Sequence, residues 1–201
     1  METMTTSIIL PFLVFFPFLG AVISYIIGRS NKGARDIWCW ILSAVIFIAS
    51  LTLIGKETVY SLRGFCGLGL SFAADGFGVI LAVLTGAIWL ITTIFSKEYM
   101  AAERNRNRYY FFVFLTLGAT MGIFLSADLF TTFIFFEIMS FTSFVLVMHD
   151  EEDFTVRSAK TYLAVAVIGG LVTLMGLFMM YQKACHFHDE EIANDILHTD
   201  N

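Results

Sequence analysis

The sequence predicts an all-α polytopic membrane protein: six transmembrane helices, with a short external β-hairpin or strand between the second and third. Three observations carry that expectation. Apolar residues make up 58% of the 201-residue chain and charged residues only 14%, and the mean hydropathy is +0.79, outside the range of soluble domains. Apolar runs recur at the length a bilayer needs, about 20 residues for a hydrocarbon core of about 30 Å. Charged residues gather between those runs rather than within them.

The expected spans are Ile8 to Ile27, Ile37 to Ile54, Gly78 to Phe95, Tyr109 to Leu125, Leu129 to Met148 and Ala159 to Tyr181. The first is expected to stay in the membrane rather than be removed as a signal peptide. Glu2 precedes it, no Lys or Arg does, and no small-x-small cleavage site follows. Pro11 and Pro17 are expected to bend this helix, a distortion tolerated where neighbours satisfy the freed carbonyls. After the second span, Leu68, Leu70 and Phe72 alternate with Gly69, Ser71 and Ala73, a period of two that suggests a strand or hairpin. Asp75 and Gly76 then read as an N-cap and turn into the third span.

The fourth span holds Gly118 and Gly122 with Ala119 between them, a small-residue face for close helix packing. The turn Ser126-Ala127 is so short that spans four and five must be antiparallel neighbours, with Asp128 as N-cap of the fifth. Beyond the sixth span, Gln182 to Asn201 is a polar, acidic tail without a packing pattern.

Lys and Arg outside the spans set the orientation, because positive loops are retained in the cytoplasm. Nine fall in the segments 28–36, 96–108 and 149–160, and three fall on the other side, at Lys56, Arg63 and Lys183. The N-terminus is therefore expected outside, in an inner (cytoplasmic) cell membrane. The Arg-rich third connection, Arg104 to Arg108, reads as a cytoplasmic anchor for anionic membrane lipid rather than a nucleic-acid site.

Cys39, Cys66 and Cys185 lack metal-ligand spacing. The acidic run Asp150 to Asp153 beside His149 reads as a solvated loop, and Cys185, His186 and His188 as part of the tail. No metal site is expected. No G-x-S-x-G, H-E-x-x-H or pair of intramembrane acids points to an enzyme, and nothing in the chain reads as a site for nucleotide, flavin, haem or quinone.

Glu137 is the one acid in the middle of a span. A carboxylate at that depth costs roughly 2.5 to 3.5 kcal/mol on insertion scales, so such residues usually face a bundle interior or a watery path. Phe133, Ile134, Ser140 and Phe141 lie three or four residues away. That aromatic setting with one hydroxyl disfavours the ionised form and suits a group that takes up and releases protons. The plainer alternative is a protonated carboxyl hydrogen-bonded to a neighbouring helix. Asp128 could also admit protons from outside, although capping accounts for it. Lys160, early in the sixth span, can snorkel to the cytoplasmic interface or sit buried and bias Glu137.

The motifs Ser126-Ala127-Asp128-Leu129, Phe135-Phe136-Glu137-Ile138-Met139-Ser140 and Ala159-Lys160-Thr161-Tyr162, with Phe72 to Gly76 and Lys97-Glu98-Tyr99-Met100 around the third span, form an ordered set. It resembles the antiporter-like, proton-translocating subunits of respiratory complex I, multisubunit cation/proton antiporters and energy-converting hydrogenases, over about Ile8 to Tyr181. The resemblance implies that Glu137 is the intramembrane proton site, working with a lysine on a later, broken helix. It also implies that Lys160 belongs to the proton-translocation set, with Ser140 and Asp128 in support.

Members of that family have about fourteen helices in two inverted repeats, so the resemblance covers an N-terminal portion: two accessory helices (1–56), an external loop or hairpin (57–76), an incomplete core of helices three to six (77–181) and the tail (182–201). The implied function is a proton-translocating subunit, with Na+/H+ antiporter-like exchange as a variant of it, in truncated or split form. Its partners would be other membrane subunits that supply the later helices and the lysine, with energy from a redox partner or an ion gradient. The alternative is a membrane scaffold that assembles such a complex without transporting.

Overall fold

The structure is a computed structural model that describes residues 5–6, 8–62, 69–102, 105–149 and 153–199, with side-chain surroundings in the last segment given for 155–183. Glu2, Arg63, Cys66, Leu68, Arg104, Asp150, Glu151 and Glu152 lie outside the described residues, as do the side chains of Asp153, Cys185, His186 and His188. Six α-helices carry the fold: α1 Ile9–Ser30, α2 Lys32–Leu51, α3 Gly76–Tyr99, α4 Arg106–Phe124, α5 Leu129–Val147 and α6 Asp153–Thr199. Three short strands, β1 Thr5–Thr6, β2 Thr58–Leu62 and β3 Leu70–Ala74, accompany them.

Helix starts follow local chemistry. Asn31 separates α1 from α2 in an extended conformation, and its side chain accepts from the N–H groups of Gly33 and Ala34 at 2.9 and 3.2 Å. Asp75 accepts from Gly78 N at 3.0 Å and starts α3. Pro11 lies in the first turn of α1, where its missing N–H leaves no helical bond unmade, and Pro17 lies inside the same continuous helix.

The expected hairpin is present, with β2 antiparallel to β3 and Tyr60 opposite Phe72. A third strand joins it, because Thr5 and Thr6 pair in parallel with Thr58 and Val59. The sheet is stitched to the α4–α5 turn: Ala73 N donates to Leu125 O at 2.9 Å and Ala127 N to Ser71 O at 2.8 Å. Alternation along β3 buries Leu70, Phe72 and Ala74.

Among the described residues, five segments are long and apolar enough to cross a membrane: α1, α2, α3, α5 and Thr155–Lys183 of α6. This is a multi-pass membrane protein. The fourth expected span does form a helix, but α4 is not among those five. Arg106, Asn107 and Arg108 occupy its first turn, and Thr116 and Thr120 lie further along. Protein surrounds α4 instead of lipid, and Tyr110, Phe114, Leu117, Ala119 and Met121 are nearly inaccessible. A helix so placed does not need a lipid-compatible surface.

The core forms where α4 meets α1 and α5, and includes Leu10, Leu13, Val14, Leu42, Ile46, Phe114, Leu117 and Phe135. Gly118 and Gly122 make those approaches possible. A Cβ at Gly118 would overlap the Phe18 ring, and one at Gly122 the Phe135 ring. Several polar atoms in the interior pair between helices. Thr116 Oγ1 donates to Thr142 Oγ1 at 2.9 Å, Ser24 and Cys39 are 3.3 Å apart, and the indole N–H groups of Trp38 and Trp89 donate to the carbonyls of Gly20 and Val113.

The chain divides into two compact units, Met1–Leu163 and Ala164–Asn201. The first holds the sheet, α1 to α5 and the start of α6. The second continues as helix to Thr199, so the segment read as a patternless tail from 182 has helical backbone over nearly all its length. Within 164–183 most side chains are exposed, Val165, Ile168, Val172, Met175 and Met179 among them.

Candidate proton site on the fifth helix

Asp128 sets the start of α5. One of its carboxylate oxygens accepts from Thr131 N at 2.7 Å and the other from the Thr131 hydroxyl at 2.6 Å. Thr131 Oγ1 in turn accepts from Ser71 N at 3.1 Å. Asp128 thus acts as the expected N-cap and, through Thr131, ties β3 to α5. Both of its oxygens are committed to that task.

Glu137 follows, between the second and third turns of α5. The helix packs through Thr131, Phe135, Ser140 and Thr142, which are buried. Glu137 lies about 140° around the axis from Thr142, at 100° per residue, and shares its side of the helix with exposed Phe141. It is half-buried and makes no hydrogen bond or ion pair with any described residue.

Ser140, expected beside it, is buried and donates to the carbonyl of Phe136 at 3.0 Å instead. Its hydroxyl does not reach Glu137. Lys160 is exposed two turns into α6, which begins at Asp153, earlier than the sequence suggested. Among the described residues no ion pair joins Lys160 to Glu137. The four residues singled out from the sequence are therefore a cap (Asp128), an unpartnered carboxyl (Glu137), a back-bonded hydroxyl (Ser140) and an exposed amine (Lys160). The structure does not gather them into one constellation. The arrangement offers a half-buried carboxyl on α5 that makes no hydrogen bond or ion pair among the described residues.

A second polar group, which sequence reasoning missed, is centred on Asp36. Its two oxygens lie 2.8 Å from Arg35 Nη2 and 2.9 Å from Arg106 Nη2. Arg35 is 1% exposed and Asp36 5%, and the Arg35 guanidinium stands 4.8 Å above the Tyr110 ring. The sequence placed Arg35 and Asp36 in the connection between the first two spans, and Arg106 in a connection read as an anchor for membrane lipid. They are buried because α2 and α4 begin side by side at one end of the bundle. The one sequence signal was an adjacent Arg-Asp pair directly before an apolar run.

The described residues contain no group of His, Cys, Asp and Glu able to hold a metal ion, and Cys39 is a buried free thiol.

Comparison with known proteins converges on one family. Residues 126–200, which include α5 and α6, match the family described as NADH:quinone oxidoreductase/Mrp antiporter, TM. A putative antiporter subunit, mnhD2, of Staphylococcus aureus is 28% identical over 198 residues, covering 94% of this chain and 39% of the relative. The chain thus spans about two-fifths of the length of the curated relatives it matches. Among solved structures, a membrane-bound sulfane sulfur reductase, an archaeal respiratory membrane complex, superposes with a TM-score of 0.76 at 16% identity, covering 85% of this chain and 36% of that one. An Mrp complex from a Dietzia species gives 0.63 at 23% identity, covering 83% and 18%. The resemblance first carried by the Asp128, Glu137 and Lys160 motifs is thereby borne out as a similarity in sequence and in fold: the chain is similar to part of the length of longer antiporter subunits and of subunits of respiratory membrane complexes.

Proposed function

We propose that the chain is a proton-translocating membrane subunit, or the N-terminal part of one, in a complex of the cation/proton-antiporter or respiratory type, and that Glu137 is its intramembrane proton site. One observation carries the reading. Glu137 is a half-buried carboxyl in an apolar helix, without a partner among the described residues. A carboxyl at that depth is stabilised by protonation or by a cation brought to it, and exchange between those two states moves a proton. Lys160, and a lysine on helices supplied by other membrane subunits, are the cations this reading assigns. The membrane is proposed to be the inner cell membrane, with the N-terminus outside.

The test is Glu137→Gln in the assembled complex. Coupled proton or cation transport is expected to fall to background while the chain still inserts and co-purifies with its partners. Full transport by that variant would remove Glu137 from the mechanism and favour the scaffold alternative.

A further inference from the structure

We infer that the hydroxyl pair of Thr116 and Thr142 positions Glu137, by fixing how α5 is turned and seated against α4; this rests on the reading of Glu137 as the proton site. Two contacts between these helices flank the carboxyl. On one side the Phe135 ring fills the notch at Gly122, where a Cβ would overlap it. On the other, Thr116 Oγ1 donates to Thr142 Oγ1 at 2.9 Å, with both residues buried. Phe135 precedes Glu137 by two positions and Thr142 follows it by five. The contacts therefore stand about 10 Å apart along the axis and about 20° apart around it. They form one line along α5, and Glu137 lies within its length.

The two contacts hold the helix differently. Phe135 is surrounded by rings, with Phe15 and Phe72 at centroid distances of 6.4 and 5.8 Å, and apolar contact of this kind has no preferred direction. It fixes the depth of α5 and leaves the helix free to turn about that point. A hydrogen bond is directional and sets the rotation. Thr142 also donates to the carbonyl of Met139 at 3.0 Å, two residues beyond Glu137, so the tie from α4 ends on the α5 backbone beside the carboxyl. A reacting group keeps its geometry through supports of this kind. The pair can also be broken without stranding a buried donor, because Thr116 Oγ1 lies 2.8 Å from Phe112 O as well. Two hydroxyl hydrogens thus serve three contacts. In Thr142→Val, Thr116 keeps the Phe112 carbonyl; in Thr116→Val, Thr142 keeps the Met139 carbonyl. Valine is β-branched like threonine, so either variant removes the tie and keeps the shape.

The full chain in mild detergent would be treated with dicyclohexylcarbodiimide, an apolar reagent that attacks protonated carboxyls, and modification of Glu137 would be followed by mass spectrometry. Thr142→Val and Thr116→Val are each expected to change the labelling rate about five-fold, the weight of one hydrogen bond. Thr142→Ser keeps the hydroxyl and loses only the methyl, and is expected to label like the native chain. A role in packing alone reverses that order, with the valine variants silent and Thr142→Ser altered, and overturns the inference. A rate unchanged in either valine variant, absence of labelling throughout included, also overturns it, as does an equal change in Thr142→Val and Thr142→Ser. Transport by the assembled complex judges the underlying reading separately. Full transport in Glu137→Gln would remove the proton site, while the labelling series would still report whether the hydroxyl pair sets the position of the carboxyl.

Discussion

Asp36 answers two guanidinium groups at once, and its removal would leave Arg35 and Arg106 facing each other in a nearly closed space. Breaking a buried pair by deleting one member costs about 3–5 kcal/mol, because the remaining charge is uncompensated. Asp36→Ala is therefore expected to destabilise the chain by about that amount in detergent unfolding, and adding Arg106→Gln should recover part of the loss. Residues such as Asp75 and Asp128 were legible as caps because their partners, Gly78 and Thr131, lie three positions away. Asp36 and Arg106 are separated by 70 positions, and no local pattern announces such a pair. Glu137 was legible for the opposite reason: an acid inside an apolar run stands out without knowledge of its surroundings. Which way it faces was not legible, because Phe residues occur on every side of α5, and only packing against α4 distinguishes one side from another.

At the scale of elements, α4 shows how composition and placement trade off. Its place in the middle of the bundle lets it carry a basic first turn and two glycines that receive the Phe18 and Phe135 rings. Gly122 meets Phe135 across the α4–α5 contact. Gly122→Ala is expected to cost about 1–3 kcal/mol through overpacking, and the cost should shrink when Phe135→Leu is present, as coupling between touching residues requires. The small-residue spacing announced this contact from the sequence, although not the helix that would fill it. The hairpin was legible because a period of two survives in the residues themselves. The parallel pairing of Thr5 and Thr6 was not, since two residues set no period and their partner lies more than fifty positions away.

For the molecule as a whole, the helical contacts define two faces without reference to charge. The sheet holds Thr5–Thr6, Thr58–Leu62, Leu70–Ala74 and the turn at Leu125–Ala127 together on one. The Asp36 cluster and the bond from Arg108 to the carbonyl of His149 at 3.0 Å lie at the other. Lys and Arg bias then supplies the direction. In a chain with its native cysteines replaced, Lys32→Cys and Ala101→Cys should react with a membrane-impermeant thiol reagent from the cytoplasmic side only, and Lys56→Cys from the outer side only. Reaction of all three from one side would overturn the proposed topology.

The same sheet also has a history built into it. β1 leaves the ribosome before α1, yet its pairing edge on β2 does not exist until two helices have followed. β3 in turn finds the Leu125–Ala127 backbone only after α3 and α4 have been made. The β2–β3 hairpin is local, but its two outer contacts, to β1 and to the Leu125–Ala127 turn, each need a pair of helices to be in place first. A helix pair placed the wrong way round would leave a strand edge of this sheet unpaired.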